Sequence, residues 1–335
     1  MAFLNIHSSY FAHIASSVLS GYLKHVNIKE SIFSHTGKAI TLNSFTKHQD
    51  SRRIEVNSSI NIQQTVFESV LTQELDEKGG ALCTKHCSIA LWSCFFSENR
   101  AETGAACAFL DSYVDLIDTN FSRNYASRLA GAIYHTGQQF SIDRCNIQKC
   151  ESERNVGALY SEAIFLLVQH SIFYHNRAFK DAGCIRLCNS SSINFRITFF
   201  IENQCISQYT GAAIDLRASN ATFVDCSFTN NLVNGEHFPI YLDSKSSAIM
   251  SSSCINNSYI RPDLNMTITF GSDMTINENK CIIPDFEIPE IQEEFPIESN
   301  AQSTLGSWQF YLTLSFLIAI PIAVILLLPD LNIFY

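Results

Sequence analysis

The chain has 335 residues, enough for one large domain or two ordinary ones, so it can bury a core without disulfide staples. Charged residues make up only 16%, well below the usual quarter, and the formal net charge is −10. That balance excludes a phosphate-binding surface, so nucleic acid is not an expected partner.

The amino terminus, residues 1–17, has no basic region and no sustained apolar run, so it does not read as a secretory signal peptide. Export would then rest on another targeting signal, or on a start upstream of Met1. Repeat units begin almost at once, at Ile6, Ser9 and Phe11, then Ile28, Ser31 and Phe33, then Ile62, Thr65 and Phe67. No cap precedes the first unit, so its open strands are expected to recruit other chains, giving self-association at the amino-terminal coil.

From residue 79 the repeat is strong. A phenylalanine followed three residues later by asparagine occurs at Phe96/Asn99, Phe121/Asn124, Phe173/Asn176, Phe200/Asn203 and Phe228/Asn231, with Ile147/Cys150 and Cys254/Asn257 in the same phase. Five residues before each anchor stands a large apolar residue: Leu91, Leu116, Ile142, Val168, Phe195, Phe223 and Ile249. Two residues before stands a small one: Cys94, Thr119, Cys145, Ser171, Thr198, Cys226 and Ser252. Between anchors recurs Gly-Ala-hydrophobic, as in Gly80-Ala81-Leu82, Gly104-Ala105-Ala106, Gly131-Ala132-Ile133, Gly157-Ala158-Leu159 and Gly211-Ala212-Ala213, with Gly183-Cys184-Ile185 as a variant.

Alternating residues after each glycine mark strands, and units this short and regular fit one coil each. Stacked coils place equivalent residues about 4.8 Å apart, so each column becomes a ladder. The phenylalanine ladder is expected inside, each ring contributing on the order of 2 kcal/mol. The asparagine ladder is expected at a turn, where Asn tolerates the left-handed conformation and amides bond along the stack. About ten coils over residues 1–283 follow, in an all-β parallel β-helix.

The motifs Gly79-Gly80-Ala81-Leu82 and Phe96-Ser97-Glu98-Asn99 resemble the repeat of bacterial polymorphic outer-membrane proteins, and are similar to repeats in surface proteins of parasitic protists. The resemblance covers roughly Ala2 to Asn257. It implies a right-handed parallel β-helix and a surface or adhesive role. At the carboxy end the chain departs from the bacterial pattern, with an apolar segment where those proteins carry a β-barrel translocator.

Parallel β-helices also host polysaccharide lyases and hydrolases, which need clustered carboxylates with a basic partner on adjacent coils. Asp111, Asp115 and Asp118, with Asp143 and Arg144 one coil on, are the best candidates, but a pectinase-type Asp-Asp pair is absent. The expectation is a non-enzyme without metal or cofactor. Cys83, His86, Cys87 and Cys94 lack the paired knuckle spacing of a zinc site. Cys83 and Cys107 each lie three residues after a motif glycine, which puts them in one column on neighbouring coils as a candidate disulfide. Glycosylation sequons occur at Asn57, Asn120, Asn189, Asn220, Asn256 and Asn265.

Residues 284–307 carry Asp285, Glu287, Glu290, Glu293, Glu294 and Glu298 and no base, which reads as a solvated acidic stalk. Residues 308–328 begin with Trp308 and run through twenty residues without a formal charge, long enough for one membrane-spanning helix. A tail, residues 329–335, follows. Ser299, Asn300 and Ala301 ahead of that apolar run offer the alternative of a lipid-anchor signal. The whole reads as a single-pass protein of the cell membrane with an extracellular rod, displayed for a host-cell, matrix or glycan ligand. A polysaccharide-active enzyme and a ligand-free coat protein are the competing readings.

Overall fold

A computed structural model describes residues 3–15, 17–22, 24–43, 58–72, 78–207, 210–255, 267–270, 275–276 and 281. Strands follow one another through the chain, and every sheet is built from neighbours one coil apart in sequence. Almost all pairings are parallel; a short antiparallel hairpin joins Leu232–Val233 to Glu236–His237. The result is an all-β parallel β-helix of about nine turns, against the ten expected. The chain divides into two units, Met1–Ile283 and Pro284–Tyr335, and all described residues lie in the first. The acidic stalk, the apolar segment and the tail lie outside the described residues. Among the described residues no helix is long and apolar enough to cross a membrane.

Each regular coil contributes to three sheets. The first, of 18 strands, takes two segments per coil, such as Leu82–Lys85 and Ser88–Trp92. The second, of 11 strands, holds the phenylalanine column, and the third has seven. Phe33, Phe67, Phe96 and Phe121 pair in register, with ring centroids 5.0, 4.6 and 4.9 Å apart and nearly parallel planes. Ile147 interrupts the stack, and Phe173, Phe200 and Phe228 resume it at 5.2 and 4.8 Å. All seven rings are fully buried. The column five residues earlier lies opposite, and Phe195 and Phe223 meet Phe200 and Phe228 edge to face.

The asparagine ladder is more deeply engaged than a surface turn. Asn99 donates from its backbone N–H (3.1 Å) and its Nδ2 (2.9 Å) to Asn124 Oδ1 on the next coil. Asn176 does the same to Asn203, and Asn203 to Asn231. Each Nδ2 also donates to a carbonyl of the preceding coil, as Asn203 does to Phe173 O at 2.9 Å. One side chain thereby satisfies two backbone groups of the preceding coil, an N–H and a C=O, which fits its complete burial. The left-handed turn conformation expected of these asparagines belongs instead to the residue before each, Glu98, Arg123, His175, Glu202 and Asn230, and to Lys149 before Cys150, with φ between 52° and 54°. That position points its side chain outward, whereas the amide must face inward to bridge the coils.

Register corrects three further expectations. The glycine motif belongs to two columns: Gly79 and Gly104 align with Ala130 and Val156, and Gly80 aligns with Gly131 and Gly157. The first column has positive φ, +60° at Gly104. In the second, a Cβ at Gly157 would stand 2.0 Å from Gly183 O on the next coil, a contact only glycine avoids. Because of that offset Cys107 pairs with Leu82, and Cys83 with Ala108, so Cys83 and Cys107 are not bonded. The bond that does form joins Cys254 to Cys281, 27 residues and therefore one coil apart, with Cα atoms 5.5 Å apart. Finally, the last strong unit slips by one residue. Met250, Ser253 and Ile255 take the inward positions, and Ile249 points out with half its surface exposed.

One inward position is unusual. His135 occupies the column of Phe109 and Ser161 and is fully buried. Nε2–H donates to Ser112 O (3.1 Å), so Nδ1 accepts from Ser161 Oγ (3.2 Å). Burial pushes its pKa down to about 4. A histidine depressed in the folded state contributes no penalty above its unfolded pKa and destabilises as pH falls through the interval to the folded value. Chemical denaturation at pH 7 and pH 4 is expected to show a stability loss about 3 kcal/mol smaller for His135→Gln than for the wild type. Equal losses would contradict a buried neutral imidazole.

Candidate functional site

The acids singled out in sequence do not converge. Asp111 sits at the bend before the Tyr113–Ile117 strand, 3.8 Å from His86 Nδ1. Asp115 is in mid-strand, facing out, and Asp118 lies past the strand end, where both its oxygens accept from Arg144 at 2.7 and 3.0 Å. Arg144 also reaches Asp143 (2.5 Å), whose other oxygen meets His170 at 3.0 Å. At about 3.3 Å per residue, Asp111, Asp115 and Asp118 stand on the order of 10 Å or more apart along the chain. They cannot share a substrate bond. Pairs such as Asp118–Arg144 and Glu98–Arg123 join the outward turn positions of neighbouring coils and are exposed, so solvent screens them.

The cysteines are poor nucleophiles. Burial pushes Cys87 up to about 11 and Cys94, Cys145 and Cys150 up to about 12. Among the described residues no group of three His, Cys, Asp or Glu side chains converges on a metal position. Of the sequons, Asn189 and Asn220 are exposed and Asn120 is half-buried. Ser247 Oγ donates to Asn220 Oδ1 at 2.7 Å. Asn57, Asn256 and Asn265 lie outside the described residues.

A charged cluster that the sequence reading missed lies on the outer wall of the first sheet. Arg186 and Asp215 are in-register partners on adjacent coils. Arg186 donates from Nε (2.9 Å) and Nη2 (2.5 Å) to Asp215 Oδ2, and from Nη1 to Asp181 Oδ2 (2.6 Å). Arg217 donates to both oxygens of Asp215 at 2.8 and 3.2 Å, and Thr210 Oγ1 lies 3.2 Å away. Burial opposes the charge on Arg186, but its bonds to Asp181 and attraction to Asp215 outweigh that and raise its pKa. Asp215 is fully buried and accepts five hydrogen bonds from three side chains, which holds it as the counter-ion of two guanidiniums, out of reach of a substrate. The cluster is a staple between coils. Its one visible signal is the pair of opposite charges just after Ile185 and Ile214, equivalent positions in adjacent repeats.

The same column continues as an aromatic stack. Tyr134 and Tyr160 lie parallel at 5.3 Å, with Lys78 Nζ 4.6 Å from the Tyr134 centroid. Two rungs beyond Arg186, Tyr241 meets the Arg217 guanidinium at 4.9 Å. Each ring in this column is therefore already partnered.

The neighbouring outward face differs. It is formed by the second strand segments of eight coils, from Ser59–Gln63 to Ser247–Ser251. Its outward residues are mostly Ser, Thr, Asn and Gln, and only Asp115, Asp143 and Arg196 carry charge. Trp92 stands there 48% exposed, and among the described residues its ring has no aromatic or cationic partner and its indole N–H no acceptor. Asp115 is its diagonal neighbour on the next coil, since Trp92 pairs with Ile117. No described side chain donates to or pairs with the Asp115 carboxylate, and partial burial raises its pKa. Three coils beyond Trp92 the face carries Phe165, 56% exposed.

No protein-family model, curated protein or solved structure matches the chain.

If the Arg186–Asp215 cluster is a staple, Asp215→Ala leaves two guanidiniums without their buried counter-ion. Chemical denaturation is expected to show a loss on the order of 3 kcal/mol or more. A loss below about 1 kcal/mol would place the cluster among ordinary surface pairs.

Proposed function

We propose that this chain is a non-enzymatic cell-surface protein that displays a right-handed parallel β-helix for adhesion or recognition, held at the membrane by the apolar segment at residues 308–328. The observation that carries the reading is the outward face just described. Hydroxyl, amide and aromatic side chains recur on it at rung spacing over eight coils, a presentation surface rather than a reaction centre. The GGA-hydrophobic and FxxN repeats, similar to those of polymorphic outer-membrane proteins, support the same reading. So does the Cys254–Cys281 bond, because structural disulfides persist in oxidising compartments. The enzyme alternative needs an available carboxylate beside a base, and in the Arg186–Asp215 cluster the buried carboxylate is already bonded to two guanidiniums and a hydroxyl.

Protease treatment of intact cells expressing the chain with an epitope tag before Pro284 tests the orientation. The tag is expected to be cleaved without permeabilisation. Protection until the membrane is opened would contradict surface display.

A further inference from the structure

We infer that the face carrying Trp92 and Asp115 is a binding site for an uncharged glycan chain laid along the rod axis, a deepening that rests on the recognition reading above.

Two aromatic columns are closed: the phenylalanines of the Phe96 column stack on one another inside, and Tyr134 is sandwiched between Lys78 and Tyr160. Trp92 is open, with about half its surface in solvent. A buried tryptophan normally finds an acceptor for its N–H, whereas Trp92 presents both an apolar ring face and an N–H donor to solvent. The carboxylate of Asp115 lies diagonally beside it on the next rung, also without a partner. A flat indole next to a free bidentate acceptor matches a pyranose ring. The sugar's C–H face lies on the indole, and two neighbouring hydroxyls donate to the two carboxylate oxygens.

The surroundings select among ligands. A protein partner calls for a contiguous apolar centre, whereas Trp92 and Phe165 are separated by three rungs, about 14 Å along the axis. Around them stand Gln63, Gln139 and Ser141, neutral groups that can both donate and accept, with Ile117 as the in-register neighbour of Trp92 on the next coil. An acidic glycan would meet Asp115 and Asp143 without a matching row of bases. A polymer of neutral sugar units, each about as long as the rung spacing, laid along the Trp92 column meets one residue of that column at every step, Gln63 on one side and Ile117, Asp143 and Gln169 on the other.

A cationic ligand is the rival for any Trp–Asp pair, since an ammonium group is attracted to both. The two separate by experiment. The full chain in detergent is titrated with uncharged hexose and N-acetylhexosamine oligomers and with a lysine-rich peptide, at low and high salt. The expected result is saturable binding of an uncharged oligomer that changes less than twofold with salt and falls tenfold or more in Trp92→Ala and in Asp115→Ala. Trp92→Tyr is expected to retain most of the affinity. Both positions face outward, so circular dichroism and melting of the variants should match the wild type. Preferential binding of the lysine-rich peptide, lost at high salt, would overturn the inference, as would glycan binding undiminished in both alanine variants. Binding to no uncharged oligomer would also overturn it. In that case saturable binding of the chain to cells would leave the recognition reading standing, and its absence would remove both.

Discussion

Stacking equivalent residues in register, one rung apart, is the constraint on which the rest of this molecule depends. Each column must tolerate its own repetition at about 4.8 Å, and few side chains do. Phenylalanine does, by ring stacking inside the coil. Asparagine does better than tolerate it: its Oδ1 accepts from the coil before, and its Nδ2 donates to a carbonyl of that coil. Where Cys150 replaces asparagine, its N–H still donates to Asn176 Oδ1, so the interruption costs the ladder one amide without breaking the axis. A second, smaller ladder runs parallel, with Ser171 Oγ accepting from Cys145 N–H and Ser253 Oγ from Cys226 N–H.

The same constraint shapes the outside. Like charges repeated at rung spacing repel, so charges are few, and many pair with an opposite sign on the next coil. Where Arg186 and Asp215 meet, the pairing is buried and becomes a fastening between coils. What remains for function is the outward face that pairing does not consume. There an unpartnered ring and an unpartnered carboxylate stand side by side among neutral polar groups.

Much of this was legible in the sequence because period is a strong signal. The phenylalanine column, the small-residue column and the asparagine column could all be aligned by counting, and they are ladders in the structure. Register to within one residue was harder. Gly80 and Gly104 look equivalent, yet Gly104 aligns with Gly79, because one glycine column serves a positive φ and the next a close backbone approach. That single offset moved the candidate disulfide to the wrong pair. The slip at Met250 has the same origin, since Ile249 is as apolar as the residue that replaces it inside. The Arg186–Asp215 cluster was hidden because the coils there have longer connections, and sequence gives no count of how many donors reach one carboxylate. The exposure of Trp92 was hidden too: alternation says that it points outward, but not that nothing covers it.

The central claim is the in-register stack, and a cross-rung disulfide tests it most directly. Ser59 and Ser88 are outward partners on neighbouring strands, and Ala90 lies two residues out of register on the same face. Oxidation of a Ser59→Cys, Ser88→Cys double variant is expected to link the two positions, read by mass spectrometry of unreduced peptides, while Ser59→Cys with Ala90→Cys should not link. Linkage of the second pair in preference to the first would contradict the register and, with it, the ladders built on it.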